Sequence, residues 1–254
     1  MRPGLAESLP CPVCGKRALP LDVVDFNKSC EEPRGKYLPL SGIPVYYYLC
    51  EECGFCFAPE FQRWSHQDFA ERIYNADYAA VDPDYSGTRP KNNAALIDKL
   101  FGKSREEIRH LDYGGGAGLL SRALSETGWR SASYDPFVDP AGAGRLGTFD
   151  LITAFEVFEH VPDIHGLLRE LGGLMSDNSL VLLSTLLSDG EIAKDKRLTW
   201  WYASPRNGHI SLFSQKSLAI ALARIGLKFG SFARGLHVAF RSLPKWASHL
   251  MKGG

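Results

Sequence analysis

The stretch LDYGGGAGLL at residues 111–120 constrains the fold more than any other part of this chain. Leu111 and Asp112 close an apolar run, glycines occupy 114, 115, 116 and 118, and LLSRALSETG continues with helical spacing. Glycine tolerates backbone angles that side chains forbid, so such a turn lets the main chain lie close to a ligand. A strand that feeds a helix through it belongs to an α/β sheet. The alternation continues along the chain. IRHLDYG, RSASYD, FDLITAF and SLVLLST read as strands, the last with the continuous apolar run of a buried one. LLSRALSETG, DIHGLLRELGGLM and SQKSLAIALARIG read as helices, with Gly128 and Gly226 ending the first and the third. KNNAALIDKLFG is an earlier helix with Leu96, Ile97, Leu100 and Phe101 at helical spacing and Gly102 as its stop. LKFGSFA and LHVAFRS read as two closing strands, and LPKWASHLMKGG as a short helix with a loose end. The fold class expected is α/β: a Rossmann-like, doubly wound, mostly parallel sheet over residues 92–254.

The six cysteines lie at 11, 14, 30, 50, 53 and 56, and the rest of the chain has none. That asymmetry marks a separate module over residues 1–60. CPVCG and CEECG are two Cys-x-x-Cys knuckles, each closed by a glycine. A tetrahedral zinc site wants four thiolates at about 2.3 Å, and a tight turn with two intervening residues supplies two of them. Cys11, Cys14, Cys50 and Cys53 are therefore the expected ligands of a structural zinc, in a zinc-ribbon-like module with an inserted loop or hairpin. Reduced, buried cysteines without metal are the bland alternative. Cys56 is expected to pack beside Phe55 and Phe57, and Cys30 to be a free loop thiol. The module carries six basic residues against eight acidic ones, a net of −2, and phosphate contacts need lysine and arginine. The whole chain has 29 of each sign, so no global field recruits nucleic acid or an anionic membrane. No membrane span and no signal-peptide core are expected, and the protein is read as cytoplasmic. Residues 61–91 form an aromatic connector; Tyr74, Tyr78 and Tyr85 either fold over a ligand or pack the connector down.

Three ligands compete for the glycine turn. A Walker loop needs a lysine that does not follow here. A dinucleotide fingerprint, counted from Gly114 and Gly116, would place its last glycine at Leu119 and fails. What stands is Gly114-x-Gly116-x-Gly118 after Leu111-Asp112. Here the chain resembles class I S-adenosylmethionine-dependent methyltransferases, whose first motif is a strand ending in an acid followed by Gly-x-Gly-x-Gly. Two later segments extend the resemblance to about residues 92–240. Asp135, in SYDPF, ends the next strand, and FDLITAFEVFEHV at 149–161 looks like the family's fourth strand and its loop. The resemblance implies S-adenosylmethionine as cofactor. It implies Asp112, Gly114, Gly116 and Gly118 beside the methionine part and Asp135 on the ribose hydroxyls. Pro136 would give apolar cover, and Phe155 and Glu156 would border the cofactor. The 136–149 segment departs from the family: it is too short for both the usual helix and third strand, so one of them is lost or vestigial.

The acceptor site is expected from the loops after TAF and LLST and from the N-terminal region. Trp200, Trp201 and Tyr202 there form either a packed lid or a binding face. His209 before ISLFSQKSL resembles the His-x-x-x-Phe-Ser segment of many small-molecule methyltransferases of this class. His209 is a base or a brace for its loop; His160 is the second candidate base, with bracing the alternative. The cysteine module also resembles that of bacterial sugar C-methyltransferases, although this chain has no room for their further C-terminal domain. The function expected is methyl transfer to a small-molecule or glycan acceptor, with O-methylation ahead of C-methylation. An RNA methyltransferase with a zinc ribbon is the alternative, disfavoured by the charge and by FEVFEHV standing where a base-flipping motif would be. A non-catalytic cofactor-binding scaffold is the third reading. Oligomeric state is not fixed by the sequence.

Overall fold

A computed structural model describes residues 6–85, 87–139 and 142–251. In chain order its elements are β1 (Leu9–Pro10), β2 (Arg17–Asp25), β3 (Pro44–Cys50), β4 (Cys56–Phe57), α1 (His66–Arg72), α2 (Tyr78–Val81) and α3 (Thr88–Phe101). They continue with β5 (Arg109–Tyr113), α4 (Leu119–Glu126), β6 (Arg130–Tyr134), β7 (Phe149–Phe155), α5 (Ile164–Gly173) and β8 (Met175–Ser184). The last are β9 (Ser211–Leu212), α6 (Gln215–Ala223), β10 (Lys228–Ala233) and β11 (Leu236–Phe240). The chain forms two compact units. The first gathers residues up to 83 with 158–164 and 186–221; the second holds 84–157, 165–185 and 222 onwards.

The first unit is built on an antiparallel sheet in the order β1-β2-β3-β4-β9. β2 and β3 pair from Ala18↔Cys50 to Asp25↔Pro44, with a bulge between Pro20 and Asp22. Pro20 has no N–H to give to the ladder, which is why the irregularity falls there. Tyr47, Phe61, Ile73, Trp200, Tyr202 and Leu212 are buried together in its core. The two tryptophans thus separate: Trp200 is buried, whereas Trp201 is exposed. The connector is more ordered than its sequence suggests. Ser65 opens α1 with a capping box: its hydroxyl accepts from the Asp68 N–H, and the Asp68 carboxylate accepts from the Ser65 N–H. That pairing satisfies two donors a helix start leaves open. Tyr78 is buried and meets Tyr74 edge-on at 5.2 Å, while Tyr85 stays exposed.

The second unit is a six-stranded sheet in the order β10-β11-β8-β7-β5-β6. Pairs β5–β6, β5–β7 and β7–β8 are parallel; β8–β11 and β10–β11 are antiparallel. The expected doubly wound, mostly parallel sheet is present. Leu180, Val181, Leu182 and Leu183 of β8 are all 0% exposed, as a strand covered on both faces requires. Gly128 (φ +88°) and Gly226 (φ +76°) lie just past the ends of α4 and α6 in the left-handed region. The short segment between β6 and β7 resolves as anticipated. It holds one 3-10 turn, Ala143–Arg145, and no strand among its described residues, so β6 is the edge of the sheet. Fourteen residues cannot carry a crossover helix and a returning strand.

Candidate functional site

In the second unit, β5 delivers its chain into the glycine turn. Gly114, Gly116 and Gly118 have φ of +75°, +51° and +71°. The Gly114 N–H donates to the Tyr134 carbonyl at 2.8 Å, tying the turn to the end of β6. A Cβ on Gly114 would lie 2.5 Å from Val157 Cγ2. A Cβ on Gly115 would lie 2.3 Å from Ser133 Oγ and 2.4 Å from Asp112 Oδ2. Nothing stands within 4 Å of the corresponding position on Gly116. The second and third glycines therefore differ in kind: one packs its backbone directly against an acid, the other opens outward. Gly118 then begins α4, whose free N–H groups favour a nearby negative group.

Two acids flank the turn. Asp135 Oδ2 accepts from the Gly116 N–H at 2.9 Å, and Oδ1 from the Phe137 N–H at 2.9 Å. Asp135 is thus fixed by backbone donors, and the half-buried Pro136 follows it. Asp112 is 4% exposed. Burial pushes its carboxyl up to about 7, the nearby Asp135 charge adds to that, and the Thr153 hydroxyl opposes it. Ser133 Oγ is buried and has no hydrogen-bond partner among the described residues. Polar atoms of that kind call for a partner, and this one lies at the turn that the glycines hold open.

Glu156 follows β7 with φ +54°, the one non-glycine residue with positive φ among those described. Its N–H donates to Ser184 Oγ at 2.9 Å, and that hydroxyl donates to Glu156 Oε1 at 2.9 Å. Strain of this kind persists where the surroundings over-determine it, typically at functional sites. Phe155, the last residue of β7, packs against the core of its unit.

In the first unit the two knuckles come together. Cys11 Sγ lies 3.6 Å from Cys53 Sγ and Cys14 Sγ 3.5 Å from Cys50 Sγ, and all four sulfurs fall within 4.8 Å of one another. Four thiolates at zinc distance would be about 3.8 Å apart along a tetrahedral edge, so the donor set fits that ion. Each knuckle closes alike: Gly15 N–H donates to Cys11 O at 2.8 Å and Gly54 N–H to Cys50 O at 2.7 Å. Both glycines adopt the left-handed backbone expected of them, with φ +74° and +72°. A hydrogen bond from Cys53 draws the Cys11 thiol down to about 5 and pushes Cys53 up. Cys56 is buried beside stacked Phe55 and Phe57, and burial pushes its thiol up.

The first unit also gathers His209, His160 and Glu159, whose ligand atoms lie within 4.8 Å of one another. Glu159 is 0% exposed and His209 5%. The His160 and His209 rings meet edge-on at 4.8 Å, and the Tyr202 ring lies 4.1 Å from that of His209. Tyr202 binds its neighbours twice: its hydroxyl donates to Glu159 Oε1, and its carbonyl stands 2.9 Å from His209 Nδ1. A carbonyl only accepts, so Nδ1 carries a proton, and in the neutral ring the lone pair is then on Nε2. Cys30 is not a free loop thiol: its Sγ lies 3.6 Å from His209 Nδ1 and its N–H donates to Asn207 Oδ1. Tyr47 hydroxyl donates to the His209 carbonyl at 2.7 Å. Both histidines singled out in the sequence are therefore here. Glu159 was expected with His160 on the substrate side of the loop after β7, but its bond to Tyr202 was not, and neither Tyr202 as a hydrogen-bonding partner nor Cys30 was foreseen in these roles. Nothing local in the sequence marks the Glu159–Tyr202 and Cys30–His209 pairs, because their members are 43 and 179 residues apart.

Residues 85–230, more than half of the chain, match the family described as a methyltransferase domain. The chain belongs to that family. The ubiquinone biosynthesis O-methyltransferase of Methylocella silvestris is 31% identical over 112 residues, 35% of this methyltransferase chain and 44% of the relative. That of Azorhizobium caulinodans is 34% identical over 102 residues, covering 31% and 40%. The chain spans less than half the length of these curated relatives. Among solved structures, the 1,6-didemethyltoxoflavin-N1-methyltransferase of Burkholderia thailandensis aligns over 73% of this chain and 93% of its own. It has 16% identity and a TM-score of 0.46. The pyocyanin biosynthetic protein PhzM aligns over 70% and 62%, at 15% identity and a TM-score of 0.48. No helix among the described residues is long and apolar enough to cross a membrane.

Proposed function

We propose that this methyltransferase chain uses S-adenosylmethionine to methylate a hydroxyl of a small-molecule acceptor, with glycans and sugars within that class. The observation that carries the cofactor is the turn between two acids: Gly115 brings its backbone directly against Asp112, Gly116 opens outward, and Asp135 is pre-set by the Gly116 and Phe137 N–H groups. In this reading Asp112 receives the ammonium of the methionine part and Asp135 the ribose hydroxyls. Gly114 and Gly118 shape the turn, and Pro136, Phe155 and Glu156 border the site. The cofactor supplies an electrophilic methyl group. Bound there, it would give that methyl to an acceptor oxygen, with its sulfur as the leaving group. Alignment supplies much of the rate.

His209 takes the acceptor proton on Nε2, the nitrogen left unprotonated when Nδ1 donates to the Tyr202 carbonyl. Glu159 braces that arrangement through the Tyr202 hydroxyl, and His160 is the second candidate base. O-methylation is favoured because the curated relatives are named O-methyltransferases. Cys11, Cys14, Cys50 and Cys53 would hold a structural zinc, which the sulfur spacing supports. Calorimetry with S-adenosylmethionine, a metal assay and an Asp135→Ala control test the assignment. Micromolar binding lost in the variant, with one zinc per chain, is expected; zinc-loaded protein that binds no cofactor would leave a scaffold as the better reading. His209→Ala should lower turnover about 10²- to 10⁴-fold with cofactor affinity unchanged.

A further inference from the structure

His110 is fully buried in β5 and plays no part in the mechanism above. It sits in a continuous chain of hydrogen bonds through the sheet. Ser121 Oγ of α4 lies 2.9 Å from Ser131 Oγ of β6. Ser131 Oγ lies 2.7 Å from His110 Nδ1, and His110 Nε2 lies 3.0 Å from Thr153 Oγ1 of β7. Thr153 Oγ1 in turn lies 3.2 Å from Asp112 Oδ1. We propose that His110 is a positioning residue: acting through the Thr153 hydroxyl, it holds Asp112 as the carboxylate that receives the cofactor's positive charge. The proposal rests on the cofactor reading given above.

The proton count along the chain makes the link. Thr153 has one hydroxyl hydrogen. When His110 carries its proton on Nε2, it donates to Thr153 Oγ1, and Thr153 donates to an ionised Asp112; Ser131 then donates to Nδ1. Thr153 Oγ1 also lies 3.4 Å from the Leu111 carbonyl, a longer contact than the 3.0 Å to His110 Nε2, so when Asp112 takes up a proton the Thr153 hydrogen turns to Nε2 and the order reverses. Asp112 donates to Thr153, Thr153 donates to Nε2, Nδ1–H donates to Ser131, and Ser131 donates to Ser121. The two states differ by one proton, and that proton resides on Asp112. The imidazole changes tautomer but stays neutral, because burial pushes its pKa down to about 3. The groups facing Asp112 from the packed elements are Thr153 on β7, Ser133 on β6 and the charged Asp135 after β6. Of these, Thr153 donates to the carboxylate and Asp135 repels it.

The test is calorimetry with S-adenosylhomocysteine from about pH 6 to about pH 8.5, on wild type, Thr153→Val, Thr153→Ser, His110→Phe and Asp112→Asn. Wild-type affinity should weaken about tenfold per pH unit below a single midpoint, as one linked proton requires. Thr153→Val keeps the volume but removes the donor. Its midpoint should rise by about one unit, so that affinity at pH 7 falls about tenfold and recovers by about pH 8.5. His110→Phe should move the midpoint the same way, Thr153→Ser should keep it, and Asp112→Asn should abolish it. Nitrogen chemical shifts of His110 should pass from an Nδ1–H to an Nε2–H pattern through that midpoint, a signature a merely packed histidine would lack. An unmoved midpoint in both Thr153→Val and His110→Phe, or a tautomer that never changes, overturns the proposal alone. No wild-type binding at any pH overturns the cofactor reading and the proposal with it.

Discussion

At the scale of single residues, two buried groups of opposite habit stand beside each other in β5. The folded chain keeps His110 neutral, with its pKa held down to about 3. The unfolded chain protonates it below about 6.5. Stability from this group is therefore full above that pH and is lost as pH falls. Asp112 runs the other way: its pKa is raised to about 7, so its contribution is lost as pH rises from about 4 to 7. Between about pH 4 and 6.5 the two slopes oppose each other. Asp112→Asn should uncover the His110 slope, and the variant should lose about 1 kcal/mol per pH unit on acidification where wild type changes little. Denaturant titrations at four pH values would show it, and parallel curves for the two proteins would refute it. Glu156 is the other residue-scale case, since its left-handed backbone (φ +54°) costs something in any L-residue. Glu156→Gly should relieve that strain, of order 1 kcal/mol, while losing the Ser184 hydroxyl's partner and weakening cofactor binding. A variant that is more stable and binds as wild type would remove Glu156 from the site.

At the scale of elements, the glycine turn and the cysteine knuckles were the most legible parts of the sequence. Their residues are chosen by backbone geometry that repeats wherever it is needed. Spacing alone did not rank the glycines, however. Gly115 reads as a spacer in Gly-x-Gly-x-Gly, yet a side chain there collides with Asp112 and Ser133. Gly115→Ala should abolish cofactor binding, whereas Gly116→Ala, with open space around it, should cost only about 1 kcal/mol of backbone strain. Equal losses of affinity in the two variants would contradict the assigned difference. The knuckles join β1–β2 to β3–β4, and two of these strands have two residues each. Strands so short need an external clamp. Chelation, or Cys53→Ser, should loosen the antiparallel sheet and leave the parallel one intact. Hydrogen exchange would reveal this as lost protection at Leu49 and Cys56, whose strands pair, with Leu182 unchanged.

At the scale of the whole molecule, 29 positive and 29 negative side chains leave no net field. A small acceptor suits such a chain better than a polyanion does. Transfer RNA should not be retained on a filter at 50 mM salt, nor show the steep salt dependence of phosphate binding; tight, salt-sensitive retention would restore the RNA reading. The alternation of strands and helices, a segment too short for both a helix and a third strand, and the glycine and cysteine turns follow from the sequence itself. They depend on periods and turn preferences within some twenty residues, and on the fourteen residues available between Asp135 and Asp150. Contacts between distant segments could not be read that way. Tertiary structure alone decided that β9 pairs with β4, and that residues 158–164 and 186–221 join the N-terminal unit. It alone brought Cys30, Tyr202 and Glu159 to His209. It also linked His110 to Asp112 through Thr153 of a neighbouring strand. A two-residue strand has no period, and a buried polar network is made of partners whose separation along the chain carries no signal.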